Sequence, residues 1–267
     1  MNELEPFNPL RFEQLAIDRQ WSLGRPLIFH PTTTSTNDVA MRLCQEGAPH
    51  GLVVVTDHQS QGRGRRGRVW CSPHPGESLL FSVILRLRTE SEWPSNITLA
   101  MGLALRDALQ PNLEQAVTVK WPNDVLVNAK KLAGILVESQ LLDGQLSAFV
   151  VGIGLNVDMR ELPDSITSVA TSLALLRARV LEREVILADI LRAIDERARA
   201  WQNIGFPSMV SELYQCDALR GRQISVDGVS GRSLGVDDSG AFLFQADGET
   251  KPRRILNGIV ELLDAER

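Results

Sequence analysis

Hydrophobic positions follow helical spacing in some segments of the chain and form strand-like runs in others. Helical spacing predicts helices over residues 9–20 and 96–109, and a long helix that includes Leu187 and Trp201. Apolar runs bounded by turn residues predict strands over residues 52–56, 79–87, 117–121, 125–127, 132–141 and 147–155. The last two strands meet at Asp143-Gly144 and are predicted to form a hairpin.

Polar residues that commonly cap helices mark two starting points. Ser35-Thr36-Asn37 stands before the apolar positions of a predicted helix that ends at Gly47. Ser95 or Asn96 is predicted to cap the helix that runs to residue 109. A shorter helix is predicted after Pro207 and ends near residue 216.

The pattern changes near Leu219. From Gly221 onward, short strands alternate with Gly and Asp turns, over residues 223–226, 233–236, 241–245, 254–256 and 258–262. An all-β module of this size buries little core of its own, so we expect it to dock on the rest of the chain. We therefore predict two domains, residues 1–218 and residues 219–267.

Composition and charge exclude several classes of protein. The chain has 267 residues, of which 43% are hydrophobic and 23% charged, which excludes disordered and fibrous classes. The net charge of −5 excludes a chain-wide basic surface for nucleic acid. No apolar run approaches the length of a membrane span, and three scattered cysteines argue against a disulfide framework or a zinc site. We expect a cytoplasmic protein without a membrane segment.

The most unusual segment is the arginine loop, residues 62–70 (GRGRRGRVW). Its glycines allow close backbone approach to a ligand, and its four arginines favour an anion such as phosphate or carboxylate. Trp70 adds a flat apolar face. The loop matches neither the Walker A nor the Rossmann pattern. The alternative interpretation is a solvated basic loop or a nucleic-acid patch.

Three further segments suggest a ligand-binding groove. Residues 120–124 (KWPND) place Lys120 at the end of an apolar strand, followed by a turn that Asn123 and Asp124 could brace. An ordinary charged strand end is the alternative. Gly134 lies within one predicted strand, and the segment 152–156 (GIGLN) within the next, which predicts a groove floor on two adjacent strands.

In this order, Ser35-Thr36-Asn37, Gln59 with the arginine loop, KWPND, residues 131–138 (KLAGILVE) and GIGLN resemble the motifs of biotin protein ligases. The similarity covers roughly residues 28–260. It implies an α+β fold: a central mixed-sheet catalytic domain of the biotin/lipoate ligase type and a small C-terminal SH3-like β-barrel. It also implies a two-step reaction. Biotin and MgATP give biotinyl-5′-AMP, and a lysine of a biotin carboxyl carrier protein then takes the biotinyl group and releases AMP.

The resemblance also implies roles for individual residues. Lys120, Arg65 and Arg68 are expected to be catalytic, with Lys120 between the biotin carboxylate and the α-phosphate and Arg68 at the distal phosphates. Ser35, Thr36 and Gln59 are expected at the biotin head group, Trp70 near adenine, and Lys131 and Asn156 at ATP or Mg²⁺. The complete set expected to bind substrates is Ser35, Thr36, Asn37, Gln59, Gly62, Arg63, Gly64, Arg65, Trp70, Lys120, Lys131, Gly134 and Asn156. No dedicated set of metal ligands is expected.

The expected ligands are therefore biotin, ATP and Mg²⁺, and the expected protein partner is the carrier domain of a biotin-dependent carboxylase. About 30 residues precede the Ser35 motif, so we expect a monofunctional ligase that does not bind DNA; the sequence leaves homodimer formation open. We also expect the arginine loop to be mobile without ligand. A lipoate ligase, and a non-enzymatic biotin sensor or nucleic-acid regulator, are the alternatives.

Overall fold

The structure is a computed structural model that describes residues 4–19, 22–88 and 94–263. In these residues the helices are α1 (Pro9–Arg19), α2 (Thr36–Gln45), α3 (Ile97–Leu109), α4 (Arg183–Asn203) and α5 (Val210–Cys216). They match the predicted helices closely. Gln20, the predicted last residue of the first helix, lies outside the described residues. No helix in the described part of the chain is long and apolar enough to span a bilayer.

A mixed sheet of seven strands forms the centre of the molecule. Its strands are β1 (Leu27–Thr33), β2 (Val53–Gln59), β3 (Ser78–Leu85), β4 (Val117–Lys120), β5 (Asp124–Val127), β6 (Lys130–Leu142) and β7 (Gln145–Asn156). Their order is β1-β2-β3-β7-β6-β5-β4. Only β1 and β2 pair in parallel; the other described neighbours are antiparallel. β6 and β7 form the hairpin that the sequence predicts.

Helices cover both faces of the sheet, which explains why its strands are apolar at successive positions. Val53 and Val55 of β2 join α1, α3 and α4 in the large core cluster. Val54, between them, joins Ala40 and Cys44 of α2 in a smaller cluster on the opposite face. Successive side chains of a strand point to opposite faces, so β2 needs apolar residues for both layers.

A second sheet follows α5. It is antiparallel and contains β8 (Gln223–Val226), β9 (Val229–Val236), β10 (Phe242–Ala246), β11 (Arg253–Ile255) and β12 (Val260–Leu262), in the order β11-β10-β9-β8-β12. Phe242 stacks on Trp121 with ring centroids 5.0 Å apart, and residues of both sheets belong to one core cluster. The division into domains at residue 218 stays a prediction.

Two details differ from the sequence-based expectations. β1 was not predicted, because Pro31 and three polar residues interrupt its apolar run; it is a sheet edge, where Pro is tolerated. Asn96 precedes α3 but makes no capping bond. Its side chain accepts a hydrogen bond from Trp201 Nε1 at 2.6 Å and donates to the Ser239 carbonyl at 3.1 Å. Asn96 is therefore the N-cap residue that the sequence predicts, but its side chain joins α4 to the turn before β10 and does not cap the helix.

Candidate active site

A cavity of about 170 Å³ lies over β6 and β7, between the central sheet and the smaller sheet. The predicted binding residues come together here from five separate parts of the chain. The lining includes Ser35, Thr36, Asn37, Gln59, Arg63, Gly64, Arg65, Arg68, Trp70, Lys120, Lys131 and Gly134. From the smaller sheet and the turn before β12 it includes Gly258, Ile259 and Val260. Of the predicted residues, Gly62 and Asn156 are absent from the lining.

Glycines form the floor of the cavity. Gly134 of β6 and Gly154 of β7 are direct cross-strand partners. A Cβ on Gly154 would lie 2.4 Å from Trp70 Cε2, and one on Gly134 would lie 2.9 Å from Trp70 Cζ3. The Trp70 indole therefore rests on the bare backbone of both strands, which no larger residue would allow. The predicted groove floor is confirmed.

Buried polar residues at the start of α2 form the polar end of the cavity; they are Ser35, Thr36 and Asn37. Gln59 Oε1 accepts the Thr36 backbone N–H at 2.8 Å and lies 3.2 Å from the Thr36 hydroxyl oxygen. Because an N–H can only donate, this contact assigns the oxygen of the Gln59 amide and leaves its Nε2 as the donor. Ser35 is the N-cap residue but makes no side-chain capping bond. The pocket thus offers hydroxyl groups and an amide N–H at one end.

Three arginines of the loop have partners within the chain. Arg63 forms a bidentate contact with Glu138, at 3.1 and 2.7 Å, and also pairs with Asp38 at 2.6 Å. Arg65 donates to Asn257 at 2.8 Å and Arg66 to Asp227 at 3.0 Å, both from the smaller sheet. These contacts offset the mutual repulsion of the arginines. These three arginines therefore do not depend on a bound anion alone to balance their positive charge.

Two cations remain available to a ligand. Lys120 and Arg68 line the cavity, and neither side chain forms an ion pair or hydrogen bond with any residue that the structure describes. Burial lowers the pKa of Lys120, and the nearby charges of Lys131 and Arg68 act in the same direction against Asp124 and Glu261. Burial also lowers the pKa of Arg65, with Arg66 as a second cause. This end of the cavity is thus electropositive and partly dehydrated.

The KWPND turn holds Lys120 at this end. Asp124 is the cross-strand partner of Lys120 and forms an ion pair with Lys131 at 2.6 Å. Lys131 Nζ in turn lies 5.5 Å from the ring centre of Trp70. Asn123 donates to the Ile135 carbonyl at 2.9 Å and accepts the Ile135 N–H through its own carbonyl. Bracing by Asn123, as suggested from the sequence, is confirmed.

Gly62 and Asn156 support the cavity from outside its lining. The Gly62 carbonyl accepts the Trp70 N–H at 2.9 Å, which closes the base of the arginine loop. Asn156 is buried and donates to the Thr171 carbonyl at 2.9 Å. The structure therefore gives both residues a structural contact, and their predicted binding roles stay predictions.

Comparison with known proteins identifies the family. Residues 29–156 match the model of the Biotin/lipoate A/B protein ligase family. The chain is 32% identical over 247 residues to the bifunctional ligase/repressor BirA of Bacillus subtilis, covering 90% of this chain and 75% of that protein. It is 31% identical over 228 residues to the biotin–[acetyl-CoA-carboxylase] ligase of Mycobacterium tuberculosis, covering 82% of each. The chain belongs to the biotin protein ligase family.

A solved member of the biotin protein ligase family shares the fold. The biotin protein ligase from Aquifex aeolicus, in complex with biotin and ATP, is 30% identical, with a TM-score of 0.75, and the match covers 88% of this chain and 97% of that one. The predicted resemblance, the α+β fold class and the assignment as a ligase are confirmed.

Several residues that hold the arginine loop in place were not singled out from the sequence. Glu138 and Asp38 hold Arg63, and Asn257 and Asp227 hold the tip of the arginine loop. Glu138 ends the KLAGILVE motif, so its position in the biotin protein ligase pattern was a usable signal. Asp227 and Asn257 lie in ordinary turns, more than 150 residues along the chain from the arginines they bind. No local signal points to them.

Proposed function

We propose that this chain is an ATP-dependent biotin–protein ligase. It forms biotinyl-5′-AMP from biotin and ATP and transfers the biotinyl group to a lysine of a biotin carboxyl carrier domain. The observation that carries this proposal is the pair of cations without a partner among the described residues, Lys120 and Arg68, at one end of a cavity whose other end presents hydroxyl and amide groups. The cations at the first end suit a carboxylate and a triphosphate, and the hydroxyl and amide groups at the second end suit a ureido ring.

In the first step a biotin carboxylate oxygen attacks the α-phosphorus, and the bond to the pyrophosphate oxygen breaks. Negative charge moves between oxygens, so positioned cations supply most of the catalysis and no protein nucleophile is needed. Lys120 acts in its protonated form between the carboxylate and the α-phosphate. Asp124, across the strand pair, opposes the lowering of the Lys120 pKa by burial and helps to keep it protonated. Arg65 and Arg68 take the phosphate charge.

The biotin head group binds at the start of α2. Its ureido ring presents one carbonyl acceptor and two N–H donors, so it requires both donors and acceptors from the protein. Gln59 Nε2, fixed as a donor by the Thr36 contacts, faces the acceptor, and the Ser35 and Thr36 hydroxyls complete the set.

The nucleotide lies along the arginine loop. Trp70 packs against adenine, and its Nε1, which is buried without a hydrogen-bond partner in the described chain, is available to donate. Lys131 and Asn156 support the phosphates or the metal ion. Mg²⁺ commonly binds through substrate phosphates, water and one or two carboxylates. Asp124 fits that role as a carboxylate in the lining, and no cluster of three His, Cys, Asp or Glu side chains occurs among the described residues. Mg²⁺ neutralises phosphate charge when bound.

In the second step the amine of the carrier lysine attacks the biotinyl carbonyl carbon, and AMP leaves as the carbon–oxygen bond of the anhydride breaks. The arginine loop covers the anhydride and excludes water while the lysine enters. The same electropositive end then holds the departing AMP.

Pyrophosphate release tests this function. We expect release with MgATP and biotin, no release with lipoate, and a loss of about 100-fold or more in Lys120→Ala. Lys130→Ala is the matched control, since the Lys130 side chain is exposed, binds the Thr167 carbonyl and lies outside the cavity lining. Release with lipoate alone would identify a lipoate ligase. No release with either acid, despite tight biotin binding, would identify a sensor.

A further inference from the structure

Glu138 contacts two parts of the site at once. Its Oε1 accepts Arg63 Nη1 at 3.1 Å, and its Oε2 accepts both Arg63 Nη2 at 2.7 Å and Asn37 Nδ2 at 2.8 Å. Within the described residues, the hydrogen bonds to this carboxylate therefore come from the arginine loop and the start of α2. Asp38, the other acid that pairs with Arg63, is about half exposed, and its carboxylate does not bind the Asn37 side chain in the described structure.

The contacts continue from Asn37 beneath the polar end of the cavity. Asn37 Nδ2 also donates to the Leu136 carbonyl, at 3.3 Å, and its Oδ1 accepts the Ser82 hydroxyl at 2.6 Å. Ser82 is fully buried, and because its one proton goes to Asn37, its Oγ accepts the Thr36 hydroxyl at 2.8 Å; the Thr36 N–H then donates to Gln59 Oε1. Hydrogen bonds thus run without a break from Arg63 to Gln59.

Gly152 makes room for this network. A Cβ at Gly152 would lie 2.0 Å from Asn37 Oδ1, so any other residue would displace the Asn37 amide. The glycine therefore has a specific purpose beyond the flat floor formed by Gly134 and Gly154. It admits a buried side chain that connects the polar end of the cavity to Glu138.

We propose that Glu138 is a positioning residue of the ligase reaction, which fixes Arg63 and Asn37 together and so sets the arginine loop relative to the biotin end of the cavity. This inference rests on the proposed function for its kinetic consequences but not for its structural ones. In this arrangement the Arg63 guanidinium is an anchor of the loop, and the phosphate-binding charge comes from its neighbours.

Replacing Glu138 by Gln conflicts with Arg63 in either orientation of the amide. An amide N–H in place of Oε1 faces Arg63 Nη1, and in place of Oε2 it faces Arg63 Nη2 and also Asn37 Nδ2. We expect the loop amides of Gly64 and Trp70, which donate to Arg68 and Gly62 carbonyls, to exchange with solvent about tenfold faster in Glu138→Gln without ligand. We also expect kcat/KM for pyrophosphate release to fall about tenfold, mainly through a higher KM for ATP and biotin.

A double-mutant cycle separates positioning from general destabilisation. If Glu138 acts through Arg63, Glu138→Gln adds less than about twofold to the loss already seen in Arg63→Met. The matched control is Glu249→Gln, which breaks a similarly exposed bidentate pair with Arg253 on the smaller sheet. We expect no change in loop exchange or kinetics in that control. If Glu138→Gln fails to fold, Arg63→Met carries the exchange measurement alone, with the same tenfold increase expected.

Three results would overturn the inference. The first is unchanged amide exchange at Gly64 and Trp70 in both Glu138→Gln and Arg63→Met. The second is a loss of kcat/KM in the double variant equal to the product of the two single losses, and the third is an equal change in exchange and kinetics in Glu249→Gln. Absence of biotin-dependent pyrophosphate release in the wild type would instead overturn the proposed function. The exchange measurement without ligand would still decide whether Glu138 holds the loop.

Discussion

Lys120 is the residue at which stability and proposed catalysis oppose each other. Its ammonium group lies at a strand end between Asp124, Lys131 and Arg68, without an ion pair to any described residue. Asp124 is already engaged by Lys131. A partly buried cation with no direct partner costs folding free energy, so its retention points to a ligand that supplies the missing negative charge.

We therefore predict that Lys120→Met abolishes biotin-dependent pyrophosphate release but raises the free energy of unfolding by about 1 kcal/mol. The folded pKa of Lys120 is lowered, so the unfolded chain binds more protons in the alkaline range, and wild-type stability rises with pH there. The free energy of unfolding of Lys120→Met lacks this rise with pH. Wild-type activity should fall as pH increases through the lowered pKa. Urea unfolding of both proteins near neutral and alkaline pH measures the difference; a less stable variant would contradict the prediction.

Residue-level roles divide into those that local sequence can reveal and those that it cannot. Lys120 and Trp70 stand in motifs whose chemistry indicates ligand binding without a structure, Gln59 was placed by the resemblance to biotin protein ligases, and all three line the cavity. The ion pairs of the arginine loop could not be predicted in the same way. Their partners depend on how the smaller sheet packs against the central sheet, so Arg66 and Asp227 come into contact only in the folded chain.

At the scale of elements, the β6–β7 hairpin provides both the floor and the framework of the site. The hairpin was predictable because Asp143-Gly144 separates two long apolar runs, and the turn residues indeed take positive φ. Its central glycines were predictable as a groove. Which side chain fills that groove was not, since Trp70 arrives from a loop more than 60 residues earlier.

Gly154→Ala tests the floor. Its Cβ would meet the Trp70 ring at 2.4 Å, so the indole must lift from the strands. We predict a rise in KM for ATP of about tenfold or more, with a smaller change for biotin. Gly144→Ala, at the hairpin tip with φ +78° and open space around it, is the control: it strains the backbone but reaches nothing in the cavity. Equal KM changes in the two variants would show that lost stability, and not the floor, causes the effect.

For the whole molecule, the two sheets share a core and a cavity. Trp121 belongs to the KWPND turn, stacks on Phe242 of β10, and donates its Nε1–H to the Gly240 carbonyl at 3.2 Å. The turn before β12 lines the same cavity as Lys120. A substitution in the smaller sheet should therefore alter the geometry of the cavity through Trp121 as well as through Arg65 and Arg66.

Phe242→Ala measures this coupling. Phe242 is fully buried, so its removal should lower the free energy of unfolding by about 3–5 kcal/mol. Because one core cluster includes residues of both sheets, we expect the variant to unfold in a single transition, with amides of β10 and α3 losing protection together. Leu234→Ala, at a 43% exposed position of β9, should change stability by no more than about 0.5 kcal/mol. Two separate calorimetric transitions in Phe242→Ala would mean that the smaller sheet folds independently, and that its contacts with the arginine loop form between two autonomous units.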